Sequence, residues 1–136
     1  MTSSASRASA LARVLRAAID GDERTITELC AEDLRVWTPA LAASSRDEVI
    51  EGLGERDDLL SYSEAEIRPL DVGGPYAAAE WSVTLRRGPD AVPEAEQLRL
   101  HGAAVAEFRG EDICALRLYW DEASIFEHLA PAAGSS

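Results

Sequence analysis

His101 carries an imidazole, and within Gln97–Phe108 it shares the parity of a strand with Arg99 and Glu107. An imidazole between a guanidinium and a carboxylate can shuttle a proton if that strand face lines a cavity. On an outer face the same stripe is a surface on which two copies pair. Tyr62, Tyr76 and Tyr119 each carry a phenol that can donate to a ligand oxygen or pack with its hydroxyl in water, and Tyr119 stands just before Asp121. Asp121 reads as the N-cap of a terminal helix, and His128 falls where a cation meets the negative end of that helix. Trp37, Trp81, Val83, Leu85, Leu118 and Trp120 are the apolar counterpart. By alternation they form either a wall suited to a hydrophobic ring system or an ordinary core stripe.

The elements that must position these residues follow from periodicity. Ala8, Leu11, Ala12, Leu15, Ala18 and Ile19 recur at helical spacing, Asp20-Gly21-Asp22 ends that helix, and Asp22 caps a second one through Ile26, Leu29 and Cys30. Leu34–Thr38 reads as a short strand closed by Pro39, and a third helix runs from Ser45 to about Leu60. From Ser63 the period becomes two. Strands are expected over Ser63–Arg68, Tyr76–Arg86, Gln97–Phe108 and Ile113–Trp120, with turns at Gly73-Gly74-Pro75, Arg87–Glu94 and Arg109–Asp112. A helix through Ile125, Phe126 and Leu129 completes the chain.

With 136 residues, 46% of them hydrophobic and 28% charged, the chain fits one domain over residues 8–130, with disorder expected at residues 1–7 and 131–136. A net charge of −12 disfavours nucleic acid as a partner. Cys30 and Cys114 are far apart and have no CxxC or Cys/His neighbours, which suggests neither a zinc site nor a disulfide framework and is simplest in a reducing cytoplasm. The N-terminus lacks the apolar run of a signal peptide, and no stretch approaches the ~18 apolar residues of a membrane span.

Helices first and hairpin-linked strands after them read as an α+β fold, a curved antiparallel sheet with helices on its concave face and a pocket between them. The order of elements, the Asp20-Gly21-Asp22 break, the strand ending in Trp37-Thr38-Pro39, the Ala79-Glu80-Trp81 strand and the closing Leu118-Tyr119-Trp120-Asp121 together resemble the nuclear transport factor 2-like superfamily, in its SnoaL-like, polyketide cyclase-like branch. The resemblance implies a cone-shaped domain that hosts cyclases, isomerases, epoxide hydrolases and binding proteins. It also implies a role for Asp121, which matches the aspartate that acts as general acid or base in SnoaL-like cyclases. Thr38 stands where ketosteroid isomerases of the superfamily carry an aspartate, and Trp81, Val83 and Leu118 stand nearest the Asp-Arg-Asp set of its epoxide hydrolases, so both reactions are disfavoured.

Two readings follow. In one the protein is a cofactor-independent cyclase or isomerase acting on an apolar, enolisable substrate, with Asp121 moving the proton, His101 or Tyr119 stabilising the enolate, and no metal or cofactor required. In the other it is a non-catalytic ligand-binding or dimerisation module. Both expect a cytoplasmic homodimer that binds neither nucleic acid nor membrane; the first takes a small apolar molecule, and in the second the cavity holds such a ligand or is simply filled.

Overall fold

The computed structural model describes residues 4–40, 42–57, 60–87 and 97–121. Helix α1 (Ser4–Asp20) buries Leu11, Val14, Leu15 and Ala17 along one stripe, as side chains three and four apart must when they share a helix face. It starts at Ser4, ahead of the first apolar repeat at Ala8, because nothing in Ser4–Arg7 breaks a helix. Gly21 ends it at φ +74°, the left-handed conformation glycine adopts without a Cβ clash, and the Asp22 N–H donates back to the Ala17 carbonyl at 2.8 Å. Asp22 then caps α2 (Glu23–Leu29), accepting from the Thr25 N–H at 3.2 Å and the Thr25 hydroxyl at 2.6 Å. The hydroxyl bond foremost, and then the backbone bond, hold the Asp22 carboxyl below its ordinary range.

The chain continues as β1 (Cys30–Trp37), β2 (Ala42–Ala43), α3 (Arg46–Asp57), β3 (Leu60–Leu70), β4 (Tyr76–Arg87), β5 (Gln97–Arg109) and β6 (Asp112–Trp120). The strands form one curved, unclosed sheet in the order β2-β1-β6-β5-β4-β3. Neighbours run antiparallel except β1 and β6, whose parallel pairing brings the first strand to the last. That pairing also explains why β1 begins at Cys30 and not Leu34: Cys30 is aligned with Ile113, and a register shift carries the strand past Glu32 and Asp33 to Arg35. Ser45 and Glu48 frame the start of α3, Ser45 Oγ accepting from the Glu48 N–H (3.2 Å) and the Glu48 carboxylate accepting from the Ser44 N–H (2.8 Å). Arg46 ties that start to the α2–β1 junction by donating to the carbonyls of Thr27 (3.2 Å) and Cys30 (3.1 Å). The helix read from Asp121 onward, including His128, and the tail at 131–136 lie outside the described residues.

Register fixes the two faces of the sheet. Odd positions of β4 pair with even positions of β5, and these with even positions of β6, giving the inner rows Ala77–Ala106–Leu116, Ala79–Ala104–Leu118, Trp81–Gly102–Trp120, Val83–Leu100 and Leu85–Leu98. The alanine rows are small enough for α1 to lie close, and with Leu11, Val14 and Leu15 they build the main core together with Leu34, Val36, Phe108 and Ile113. Beyond the tryptophan row the residues are large, and a second cluster forms from buried Val83, Leu85 and Leu100 with Tyr62, Ala65, Trp81, Leu98 and Trp120 around them. The outer face is polar. Arg99 donates there to Ser82 Oγ (2.7 Å), Thr84 Oγ1 (3.1 Å) and the Glu64 carbonyl (2.5 Å), and pairs with Glu66 at 3.7 Å. Glu64 takes φ +52° within the bulge that interrupts the β3–β4 register, so its carbonyl is turned to Arg99.

Candidate functional site

β4 and β6 carry most of the residues that the sequence marks as a wall. Trp81, Val83 and Leu85 from β4 face inward with Leu118 and Trp120 from β6. Across Gly102 the Trp81 and Trp120 rings meet edge to face, their centroids 6.0 Å apart and their planes at 71°. A glycine is required between them. A Cβ at position 102 would stand 2.2 Å from Cζ2 and 2.5 Å from Cε2 of Trp81, and 2.3 Å from the Tyr119 carbonyl oxygen. Trp81 also borders both apolar clusters, the closed core under α1 and the cluster around Val83, Leu85 and Leu100. Its indole Nε1 is buried and has no hydrogen-bond partner among the described residues. A buried donor left in that state costs about 1–3 kcal/mol, so the position is held against a local penalty.

The chemically active residues of the sequence reading lie elsewhere. Tyr119 pairs with Ala103 and His101 with Ser82 at outward-facing positions, and Arg99 and Glu107 share that face. The β5–β6 ladder closes at Gly102–Trp120, so His101 and Asp121 are the next residues on either side of its end. Both are exposed. Trp37 is also outside: Leu34 and Val36 of β1 enter the core, and alternation turns the next residue away. It meets Tyr119 at a tilt of 46° with centroids 5.4 Å apart, while Trp37 remains 47% and Tyr119 45% exposed. The structure thus brings Trp81, Val83, Leu85, Leu118 and Trp120 to one face, and His101, Tyr119 and Trp37 to the other. Gly102, Leu98 and Leu100, which complete the inner wall, were not singled out by the sequence reading, whereas Tyr62, which joins them there, was named for its phenol. The alternation of β5 carried the signal for the first three, since its even positions are apolar or glycine throughout.

Two open grooves among the described residues are each about 440 Å³. One lies where Arg46, Arg109, Asp33 and Asp112 surround the start of β1, and the other lies over α1 beside Arg13, Arg16 and Asp22. Neither is lined by any residue of the inner wall. In the first, Arg109 holds Asp33 in a two-pronged ion pair (2.6 and 3.2 Å) and keeps its carboxyl below the usual range. Cys30 also borders it, but burial pushes its thiol up to about 12, which makes it a poor nucleophile at neutral pH. Among the described residues no three His, Cys, Asp or Glu side chains gather as a metal site, and no helix is long and apolar enough to cross a membrane.

The model of the SnoaL-like domain matches residues 11–116. The chain belongs to this family. Solved structures place the SnoaL-like domain in the nuclear transport factor 2-like fold. A protein proposed to be a polyketide cyclase, from Xanthomonas campestris pv. campestris, is 19% identical with a TM-score of 0.78, over 93% of this chain and 98% of its own. An NTF2-like protein from Burkholderia xenovorans is 16% identical with a TM-score of 0.76, over 94% and 98%. An LEH-like epoxide hydrolase from M. tuberculosis is 18% identical with a TM-score of 0.68, over 87% and 84%. At these identities the likeness shows the fold alone. No curated protein matches the chain by sequence.

Proposed function

We propose that this SnoaL-like domain is a ligand-binding module that holds a small apolar molecule against the inner wall of Trp81, Val83, Leu85, Leu98, Leu100 and Trp120. One observation carries the reading: two indoles meet edge to face over a glycine, and the half-buried members of the cluster surround a buried aliphatic patch on the same wall. Large, rigid aromatic surface beside aliphatic side chains favours an apolar ring or chain. The names of structurally similar proteins, a polyketide cyclase and an epoxide hydrolase among them, support a small molecule as the occupant. Two unpaired cysteines, Cys30 buried and Cys114 partly so, support the cytoplasm as its location. The test is a tryptophan-fluorescence titration with naphthalene. Binding changes the Trp81 and Trp120 emission saturably in wild type and in Trp37→Phe, and the absence of a saturable change in both defeats the reading.

A second reading, an acid–base enzyme acting on an enolisable substrate, is favoured by one observation. Asp121 directly follows Trp120 at the end of the β5–β6 ladder and is exposed, so a carboxylate stands at the end of the wall, while His101 points to the outer face. Asp121 would then move the proton, without His101 or Tyr119, which the register turns to the opposite face.

The outer face supports a homodimer. Trp37 and Tyr119 form an aromatic pair that remains almost half exposed on a sheet face that no described helix covers. An antiparallel sheet of this width gains by covering such a patch with a second copy.

A further inference from the structure

The inner face is apolar in composition, yet it contains a buried N–H. Along its inward positions β4 supplies Ala77, Ala79, Trp81, Val83 and Leu85. Facing rows supply alanine, glycine, leucine and tryptophan from Leu98 to Ala106 and from Leu116 to Trp120, and on the other side β3 adds Ile67 opposite Trp81 and Tyr62 opposite Leu85. Trp81 Nε1 is closed off from water and makes no hydrogen bond among the described residues. The ring cannot readily turn its N–H elsewhere, since one edge lies against Gly102 and it meets Trp120 edge to face. A buried donor fixed among hydrocarbon is matched by an acceptor that arrives with the ligand.

Resting on the binding reading above, the geometry points to Trp81 Nε1 as the polar anchor of the site, donating to a single uncharged oxygen, a carbonyl or an ether, on an otherwise apolar ligand. The ligand is neutral because a carboxylate or phosphate would lose its hydration against these rows without meeting a cation on them. It is an acceptor because indole nitrogen donates only. Trp81 therefore selects between ligands of equal shape, where Val83, Leu85 and Leu100 contribute size and hydrophobicity.

The experiment uses 1-indanone and indane, which share a bicyclic body and differ by one carbonyl. Each is titrated into ¹⁵N-labelled full-length protein, and Kd is taken from backbone and indole N–H shifts, with the Trp81 indole signal assigned by its loss in Trp81→Phe. Indanone is expected to bind about 3- to 10-fold more tightly than indane, the span of one net neutral hydrogen bond. It should also move the Trp81 indole proton downfield, which indane should not do. In Trp81→Phe both compounds still bind and the preference falls to about 1. Equal affinities for wild type with an unmoved Trp81 signal overturn the anchor and leave the apolar site standing, as does a preference that persists in Trp81→Phe. Binding of neither compound overturns the site itself and the anchor with it. If Trp81→Phe does not fold, the Trp81 indole signal is assigned in wild type through its contact with Gly102, and its failure to move downfield with indanone overturns the anchor.

Discussion

Gly102 and Trp81 are opposed across β4 and β5 so closely that the glycine's missing side chain is the space in which the indole lies: a Cβ there would stand 2.2 Å from Trp81 Cζ2. The contact sets how deep the Trp81 ring sits and therefore where its N–H is held.

Gly102→Ala is expected to destabilise the fold by about 1–3 kcal/mol, the usual cost of forcing a methyl into filled space. Removing the ring in Gly102→Ala/Trp81→Ala relieves only part of this, because the Tyr119 carbonyl oxygen also lies 2.3 Å from the added atom. Urea unfolding of the two single variants and the double variant checks it. An unchanged midpoint in Gly102→Ala contradicts the packing described.

The outer aromatic pair should hold the dimer. Light scattering is expected to give twice 14.6 kDa for wild type. Trp37→Asp should give the single mass with its fold intact, since the residue is 47% exposed in the isolated chain. A wild-type protein that scatters as a monomer at micromolar concentration argues against the pairing.

Asp121 separates binding from catalysis. Asp121 is exposed, so Asp121→Asn should lose less than about 1 kcal/mol of stability. If the acid–base reading holds, turnover of an enolisable ketone falls on the order of 10² to 10⁴-fold while binding stays. A protein that binds but never exchanges the ketone's α-protons in heavy water is the module proposed first.

The Asp33–Arg109 ion pair gives the fold an acid-sensitive element. The folded-state pKa of Asp33 lies below its ordinary value of 3.8, chiefly through the hydrogen bonds from Arg109. The stabilisation it brings is present above that ordinary value and is lost as pH falls through the lower folded value. Asp22, whose carboxyl is lowered by Thr25, adds in the same direction. Thermal midpoints of wild type and Asp33→Asn should differ at pH 6 and converge by about pH 2. Both groups are exposed, so the difference is small. A gap that widens on acidification contradicts this sign.

Much of this architecture can be read from residue periodicity. The alternation of Tyr76–Arg86 and Gln97–Phe108 anticipates two long strands with opposite faces, and Asp20-Gly21-Asp22 marks the helix break because glycine and an N-cap aspartate act locally. What escaped the sequence reading depends on distant pairing. Trp37 looked like a third member of the aromatic wall, but its direction follows from Leu34 and Val36 entering the core once β1 is drawn beside β6. His101 left its face undecided for the same reason: only the pairing with Ser82 and the burial of Leu100 put it outside. The space at Gly102 was hidden because a glycine within a strand does not tell which neighbour fills its place.

If the wall of Val83, Leu85 and Leu100 beside Trp81 and Trp120 receives an apolar ring, a bound ring lies within a few ångströms of their protons. Intermolecular nuclear Overhauser effects from bound indane to ¹³C-labelled methyl groups test it most directly. Cross-peaks are expected to Val83, Leu85 and Leu100 and to the ring protons of Trp81 and Trp120, with none to Trp37. Cross-peaks confined to Trp37 and Tyr119, or none from a ligand shown to be bound, would contradict it.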